Sequence, residues 1–130
     1  MFILKNCTLS FLLIACFGAA SVNAEELWCK VTRKLDSERE YSRENLDKYQ
    51  PGVFVRTGTS GATLSRCSYG SSGKWSCDKY TVDKIEIDNY TGHRKFYYYR
   101  GQFDVQVFNN NMFIENNGRG TISFGKCWVQ

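Results

Sequence analysis

The chain reads as a mostly β protein with minor α+β character. A small antiparallel meander, closed as a barrel or bent as a curved sheet of about seven to eight strands, carries one short N-terminal helix and is stapled by disulfides. Three observations predict it. Aromatics make up 15% of the 130 residues and Pro occurs once, a mix that suits strands and leaves them uninterrupted. Gly-rich and Asn-rich turn signals punctuate short apolar runs from Val53 onward. Beyond residue 24 the chain keeps four cysteines, Cys29, Cys67, Cys77 and Cys127, an even number of the kind a disulfide framework uses.

Residues 1–24 differ from the rest. Lys5 is their only charge, the run from Leu9 to Ala20 is apolar or small, and Val22-Asn23-Ala24 precedes Glu25-Glu26. A basic start, a short apolar centre and small residues before a polar chain read as a signal peptide cleaved after Ala24. Residues 25–130 then form a single disulfide-containing β domain, extracellular or periplasmic, where thiols oxidise. Leu13-Ile14-Ala15-Cys16 also fits a lipobox, so the alternative is a lipoprotein anchored to a membrane through Cys16. No segment of the mature chain reads as a transmembrane span.

Leu27 to Arg33 alternates apolar and polar and reads as the first strand. Ser37 with Glu40 forms a capping box and Glu38 adds charge in the first turn, predicting an exposed helix from about residue 38 to 48 that Pro51 stops. Tyr41, Leu46 and Tyr49 are its apolar side. Val53 to Arg56 and Ala62 to Tyr69 are strands around a turn at Gly58 to Gly61. Ser71-Ser72-Gly73 suits a three-residue hairpin loop with Gly in the left-handed position. That loop sets Tyr69 opposite Trp75 and Cys67 opposite Cys77, in the closer, non-hydrogen-bonded pair type. The disulfides expected are therefore Cys67–Cys77 and, by elimination, Cys29–Cys127.

A second hairpin, turning at Thr91-Gly92, aligns Asp88 with Lys95, Ile87 with Phe96, Ile85 with Tyr98 and Asp83 with Arg100. Gly101 kinks this strand or opens the next, residues 102–108. Asn109 to Asn111 is a turn, Met112 to Asn116 a strand, and Asn117-Gly118 a type I′ turn. Residues 119–129 return Cys127 toward Cys29.

The chemistry-bearing residues are sparse. Four Cys could hold zinc, but there is no Cys-x-x-Cys pair and one His, so neither metal nor cofactor is expected. His93 could act as a base beside Asp88 or Glu86, yet it follows a tight turn and reads as a turn residue. Ser60, Ser71 and Ser72 sit in Gly loops without a partnered base and no Gly-x-Ser-x-Gly elbow occurs. Asp104 with Glu115 could pair for glycoside hydrolysis, although strand charges usually form a solvated face.

Two surfaces stand out. Tyr97 and Tyr99 point outward if Phe96 and Tyr98 point to the core, and Arg94, Lys95 and Arg100 flank them. The second is the Asn-rich tip with Asn110 and Arg119. Binding is therefore expected at Tyr97, Tyr99, Arg94, Arg100, Asn110 and Arg119. The net charge is +4, and +3 without residues 1–24 (16 basic against 13 acidic). That is short of the dense basic face of a nucleic-acid binder, so the expected partner is a protein or a carbohydrate. Asn89-Tyr90-Thr91 matches a glycosylation sequon. With no catalytic constellation, the leading expectation is a small exported binding or interaction module rather than an enzyme. The alternatives are a small secreted hydrolase, of nuclease or glycosidase type, and the envelope lipoprotein.

Overall fold

Alternating apolar residues drive strand formation along the whole chain. The computed structural model, which describes residues 24–130, contains nine strands and one helix. The expected leader and its alternative lipid attachment at Cys16 lie outside the described residues, apart from Ala24. In chain order the elements are β1 (Glu25–Leu35), α1 (Arg43–Tyr49), β2 (Gly52–Gly58), β3 (Gly61–Tyr69), β4 (Trp75–Thr81), β5 (Lys84–Ile87), β6 (Arg94–Tyr98), β7 (Phe103–Val107), β8 (Met112–Asn116) and β9 (Ile122–Val129).

The strands form one antiparallel sheet in the order β4-β3-β2-β1-β9-β8-β7-β6-β5. Every neighbouring pair except one is a sequential pair. The exception, β1 against β9, joins the two ends of the domain and carries the buried Cys29–Cys127 disulfide between directly opposed residues. The edge strands β4 and β5 are successive halves of one bent segment. Val82 N–H donates to the Ala62 carbonyl in β4's partner β3, and Asp83 N–H donates to the Tyr97 carbonyl in β5's partner β6. The sheet thus curls into a half-barrel whose two edges are tied at Val82–Asp83. The sequence reading of seven or eight strands left Gly101 as either a kink within a strand or the start of the next; the structure ends β6 at Tyr98 and starts β7 at Phe103.

Strand alternation sorts the side chains. Leu27, Cys29, Val53, Val55, Leu64, Phe96, Val105, Val107 and Phe113 face inward and are fully buried. The α1 helix packs on β1 and β3 and adds Leu46 to this core. Its start differs from expectation. The Ser37–Glu40 capping box does not form, because β1 runs on to Leu35 and the Asp36 carboxylate accepts from Glu38 and Arg39 N–H in a turn. Ser42 caps the helix instead, accepting from Asn45 N–H at 3.2 Å.

The Ser71–Gly73 hairpin has the expected register, with Tyr69 opposite Trp75 and a Cys67–Cys77 disulfide. Two other hairpins correct the sequence reading. The β5–β6 register pairs Ile85 with Phe96, Glu86 with Lys95 and Ile87 with Arg94. It slips two residues from the pairing of Asp88 with Lys95. Asp88 is the cause: its side chain accepts from Tyr90 and Thr91 N–H, and its carbonyl accepts from Gly92 N–H, which widens the loop. A two-residue slip preserves parity, so the assignment of faces holds. The β8–β9 connection is also wider than a type I′ turn. Asn117 N–H donates to the Thr121 carbonyl, and positive φ occurs at Gly118 and Gly120 but not at Asn117. The Asn117 side chain instead accepts from Arg119 and Thr121 N–H.

The two disulfides close loops of very different length, 98 and 10 residues apart in sequence. In the chain-entropy account the longer contributes about 4–5 kcal/mol and the shorter about 3 kcal/mol or slightly less. Chemical denaturation of the Cys29→Ala/Cys127→Ala and Cys67→Ala/Cys77→Ala variants of residues 25–130 is expected to show the first as clearly the less stable. Equal losses would mean that β1–β9 pairing stands without its covalent tie.

Candidate functional site

Inward-facing residues near one end of a curled sheet cannot all be apolar, because that end meets water. Here β3 contributes Arg66, β4 contributes Tyr80, β6 contributes Tyr98 and β7 contributes Phe103. The loop after β6 adds Arg100 and Gly101, and the loop after β8 adds Asn117 and Arg119. Together they line an open cleft of about 340 Å³. Gly118 seats one loop on the other: a Cβ there would collide with the Gln102 carbonyl oxygen, and φ is +73°.

Three rings packed at steep angles to one another make one wall. The Tyr80 centroid lies 5.0 Å from Tyr98 and 5.4 Å from Phe103. These contacts span the two ends of the sheet and hold the cleft's width. The Arg66 guanidinium sits 5.2 Å from the Phe103 ring centre and pairs with Glu115 at 2.9 Å. Among the described residues, no carboxylate lies within ion-pair distance of Arg100 or Arg119.

Beneath the cleft, Arg66 also borders a smaller cavity of about 170 Å³ with Lys34, Asp78, Glu115 and Ser123. Lys34 reaches it because β1 slips register between Val31 and Arg33, which sets Lys34 opposite Ser123. Glu115 is only 4% exposed. Burial raises its pKa above the ordinary 4.5, and the Arg66 and Lys34 charges oppose that rise. An ionised carboxylate so placed is held by Arg66, and it offsets part of the cleft's positive charge.

The expected binding residues divide among four places. Arg100 and Arg119 meet in the cleft. Tyr97 and Tyr99 lie side by side on the outer face, centroids 6.0 Å apart, with the Tyr97 hydroxyl donating to Glu86 at 2.9 Å. Arg94 forms a bidentate pair with Glu25 at 3.0 and 3.2 Å, on the other side of the half-barrel's length from the loop that carries Arg100. Asn110 uses its side-chain oxygen inside its own turn, accepting from Met112 N–H.

His93 lines a broad surface depression with Glu86 and Asp88. Its ring packs on Phe108, Glu86 is engaged by Lys84 and Tyr97, and Asp88 by backbone N–H groups. Asp104 and Glu115 leave the sheet on opposite faces, since Asp104 opposes Asn116 while Glu115 opposes Val105. Among the described residues no group of three His, Cys, Asp or Glu could hold a metal, and no helix is long and apolar enough to cross a membrane.

Sequence reasoning missed Arg66 and Tyr80. The signal for Arg66 was parity: it adjoins Cys67, so it must face away from the outer Cys67–Cys77 bond. Comparison with family models, with curated proteins and with solved structures returned no match, so no relative supplies an activity for this chain.

Proposed function

We propose that the chain is a small exported binding module, acting outside the cell or in the periplasm, that takes an anionic ligand in the half-barrel cleft. The carrying observation is the set of three arginines around one aromatic-walled cleft, two of them without a carboxylate partner among the described residues. Guanidinium groups match carboxylate, sulfate and phosphate oxygens with paired, directional hydrogen bonds. A concave, low-dielectric wall concentrates their field, and the mouth of a β-barrel is a common place for such a site. Tyr80 and Tyr98 offer flat surfaces to the uncharged part of a ligand. Two disulfides support an oxidising compartment. The hydrolase alternative called for converging carboxylates, and the separate faces of Asp104 and Glu115 give it no support.

Isothermal titration of residues 25–130 with sulfate, pyrophosphate and citrate at low salt tests the reading. At least one of these anions is expected to bind, with affinity falling as salt rises. Arg100→Ala and Arg119→Ala are each expected to weaken binding about tenfold or more, the loss of one charge-assisted hydrogen bond. No binding by any of the three, or a double variant that binds like the parent, would sink the proposal.

Glu115 sets a pH dependence of definite sign. Its folded-state pKa lies above 4.5, so the folded protein takes up a proton at a pH where the unfolded chain does not. Protonation frees Arg66 from its ion pair. Sulfate keeps its charge throughout, and its affinity is therefore expected to rise as pH falls from neutral toward the ordinary carboxylate range. Glu115→Gln is expected to bind sulfate more tightly at pH 7 and to flatten that rise. The same raised pKa means that ionised Glu115 costs stability as pH climbs through it, a cost absent well below 4.5.

A further inference from the structure

The arginine cleft is bounded on one side by an unfinished edge of the sheet. β4 is the last strand in the order, and six of its seven residues are exposed. Its backbone sorts by parity. Gly70 N–H donates to the Lys74 carbonyl and Val82 N–H donates to the Ala62 carbonyl, so residues 74, 76, 78, 80 and 82 face β3. Cys67 and Cys77 fall between them as a closer, non-hydrogen-bonded pair, with Cα atoms 4.0 Å apart. The N–H and C=O groups of Trp75, Cys77, Lys79 and Thr81 therefore point away from the sheet. Among the described residues no strand lies beyond them, and no turn or loop bond reaches them.

This edge is long and firmly held. Its register with β3 runs unbroken from Thr63 and Thr81 to Tyr69 and Trp75, and the chain's one proline is elsewhere, at Pro51. Bulges, prolines and very short strands are common means of blunting an edge, and β4 has none of them. The Cys67–Cys77 bond ties it to β3. Phe54, Trp28, Trp75 and Tyr69 brace its outer side as a file of rings packed at steep angles, successive centroids 4.5, 5.7 and 4.9 Å apart. The opposite edge, β5, is only four residues long. An edge fixed in this way accepts a further strand at low entropic cost.

The edge and the cleft adjoin. Tyr80 belongs to β4 and lines the cleft with Arg66, Arg100 and Arg119. Ser76 and Asp78 share its inner side, while Trp75, Cys77 and Lys79 lie on the outer. A strand laid along β4 would send every second side chain to the inner side, toward those arginines. Lys79 sits on the edge itself. Among the described residues, no carboxylate lies within ion-pair distance of Lys74 or Lys79. Arg66, Arg100, Arg119, Lys74 and Lys79 outnumber Asp78, Asp83 and Glu115 here. Glu115 is already held by Arg66, and Asp83 accepts from Tyr99 N–H.

We infer that the anionic ligand of the cleft is an acidic segment of a partner protein, which adds to β4 as an extended strand. The inference rests on the cleft reading and names its ligand. Backbone pairing with Trp75, Cys77, Lys79 and Thr81 supplies affinity whatever the sequence. Carboxylates at every second position, directed to Arg100 and Arg119, supply the choice of partner. Residues 1–24 contain no Asp or Glu, and a second copy would bring its own Lys79 and arginines against these. Charge therefore disfavours both as occupants.

The test is a heptapeptide of alternating Glu and Val, with acetylated and amidated ends, titrated calorimetrically into residues 25–130 at low salt. Amide hydrogen exchange is followed in parallel. Saturable binding is expected, with slowed exchange at Trp75, Cys77, Lys79 and Thr81 and little change at Ser76, Asp78 and Tyr80, which already face β3. When the Glu side chains face the arginines, the Val N–H groups face β4, so N-methylation at Val should weaken binding about tenfold or more. Lys79→Pro removes one outward N–H and leaves the β3 ladder intact. It should lose peptide affinity about tenfold yet bind sulfate as the parent does, which also shows that it folds. Lys79→Ala keeps that amide and should bind the peptide to within about threefold of the parent. Binding that leaves the four amides unprotected, or that N-methylation does not weaken, would overturn the inference and leave the cleft reading standing. So would a protein that binds sulfate, pyrophosphate or citrate but not the peptide. Failure of the peptide and of all three anions would remove the cleft reading and the inference with it.

Discussion

Everything in this domain depends on β1 pairing with β9. The other strand pairs are local hairpins or near-neighbours in sequence, which a chain can form without knowing its overall shape. A ribbon of such hairpins would have β1 and β9 as its edges. Pairing them moves the edges to β4 and β5, which the chain already joins through two residues. The sheet must then curl, and curling encloses Leu27, Val53, Phe96 and Phe113 in one core. The Cys29–Cys127 bond lies in the middle of this pairing, on the inner side, where water does not reach it. Loop-closure entropy is the main obstacle to joining residues so far apart, and a covalent link removes most of it from the unfolded state.

Curling also explains how nine thin strands carry two chemically distinct surfaces. Successive residues of β3 serve opposite purposes. Arg66 points into the cleft, Cys67 fixes β4 from outside, and Tyr69 ends the aromatic file. The inner end is cationic because Arg66, Arg100 and Arg119 outnumber Glu115 there, while the outer face carries Trp28, Trp75 and Trp128. A single layer of sheet separates them. Neither surface needs a loop longer than five residues to position it, so both inherit the rigidity of the sheet.

The parts legible in sequence were those set by local chemistry. Ser71-Ser72-Gly73 fixed one register, and with it the Cys67–Cys77 pair, because loop length dictates pairing. The faces of Phe96, Tyr97, Tyr98 and Tyr99 were legible through parity alone and survived a two-residue error in register. Local signals that competed were misread. Asp36, Ser37 and Ser42 all cap well, and only the continuation of β1 decides among them. Asn117-Gly118 suits a tight turn, but the Asn117 side chain accepts from two backbone N–H groups, those of Arg119 and Thr121, instead. The two surfaces themselves were only partly legible. Arg100 and Arg119 were singled out separately, yet their meeting depends on Gly118 resting against Gln102. The aromatic file rests on Gly52 lying beneath Trp28, 24 residues away in sequence, a contact that exists only once β1 and β2 align.

The β1–β9 pairing has a consequence for orientation. It brings both ends of the described domain to one place: Gln130 N–H donates to the Glu26 carbonyl at 2.9 Å, and Glu25 holds Arg94 at the start of β6. The loops bearing Arg100 and Arg119 follow the far ends of β6 and β8. Whatever precedes Glu25 therefore leaves from the end away from those loops. A tether attached there would present the arginine mouth outward, away from the surface that holds it, and a fusion at Gln130 would do the same. The domain is polar in the vectorial sense, with the two ends of the described chain at one end and the arginine-bearing loops at the other.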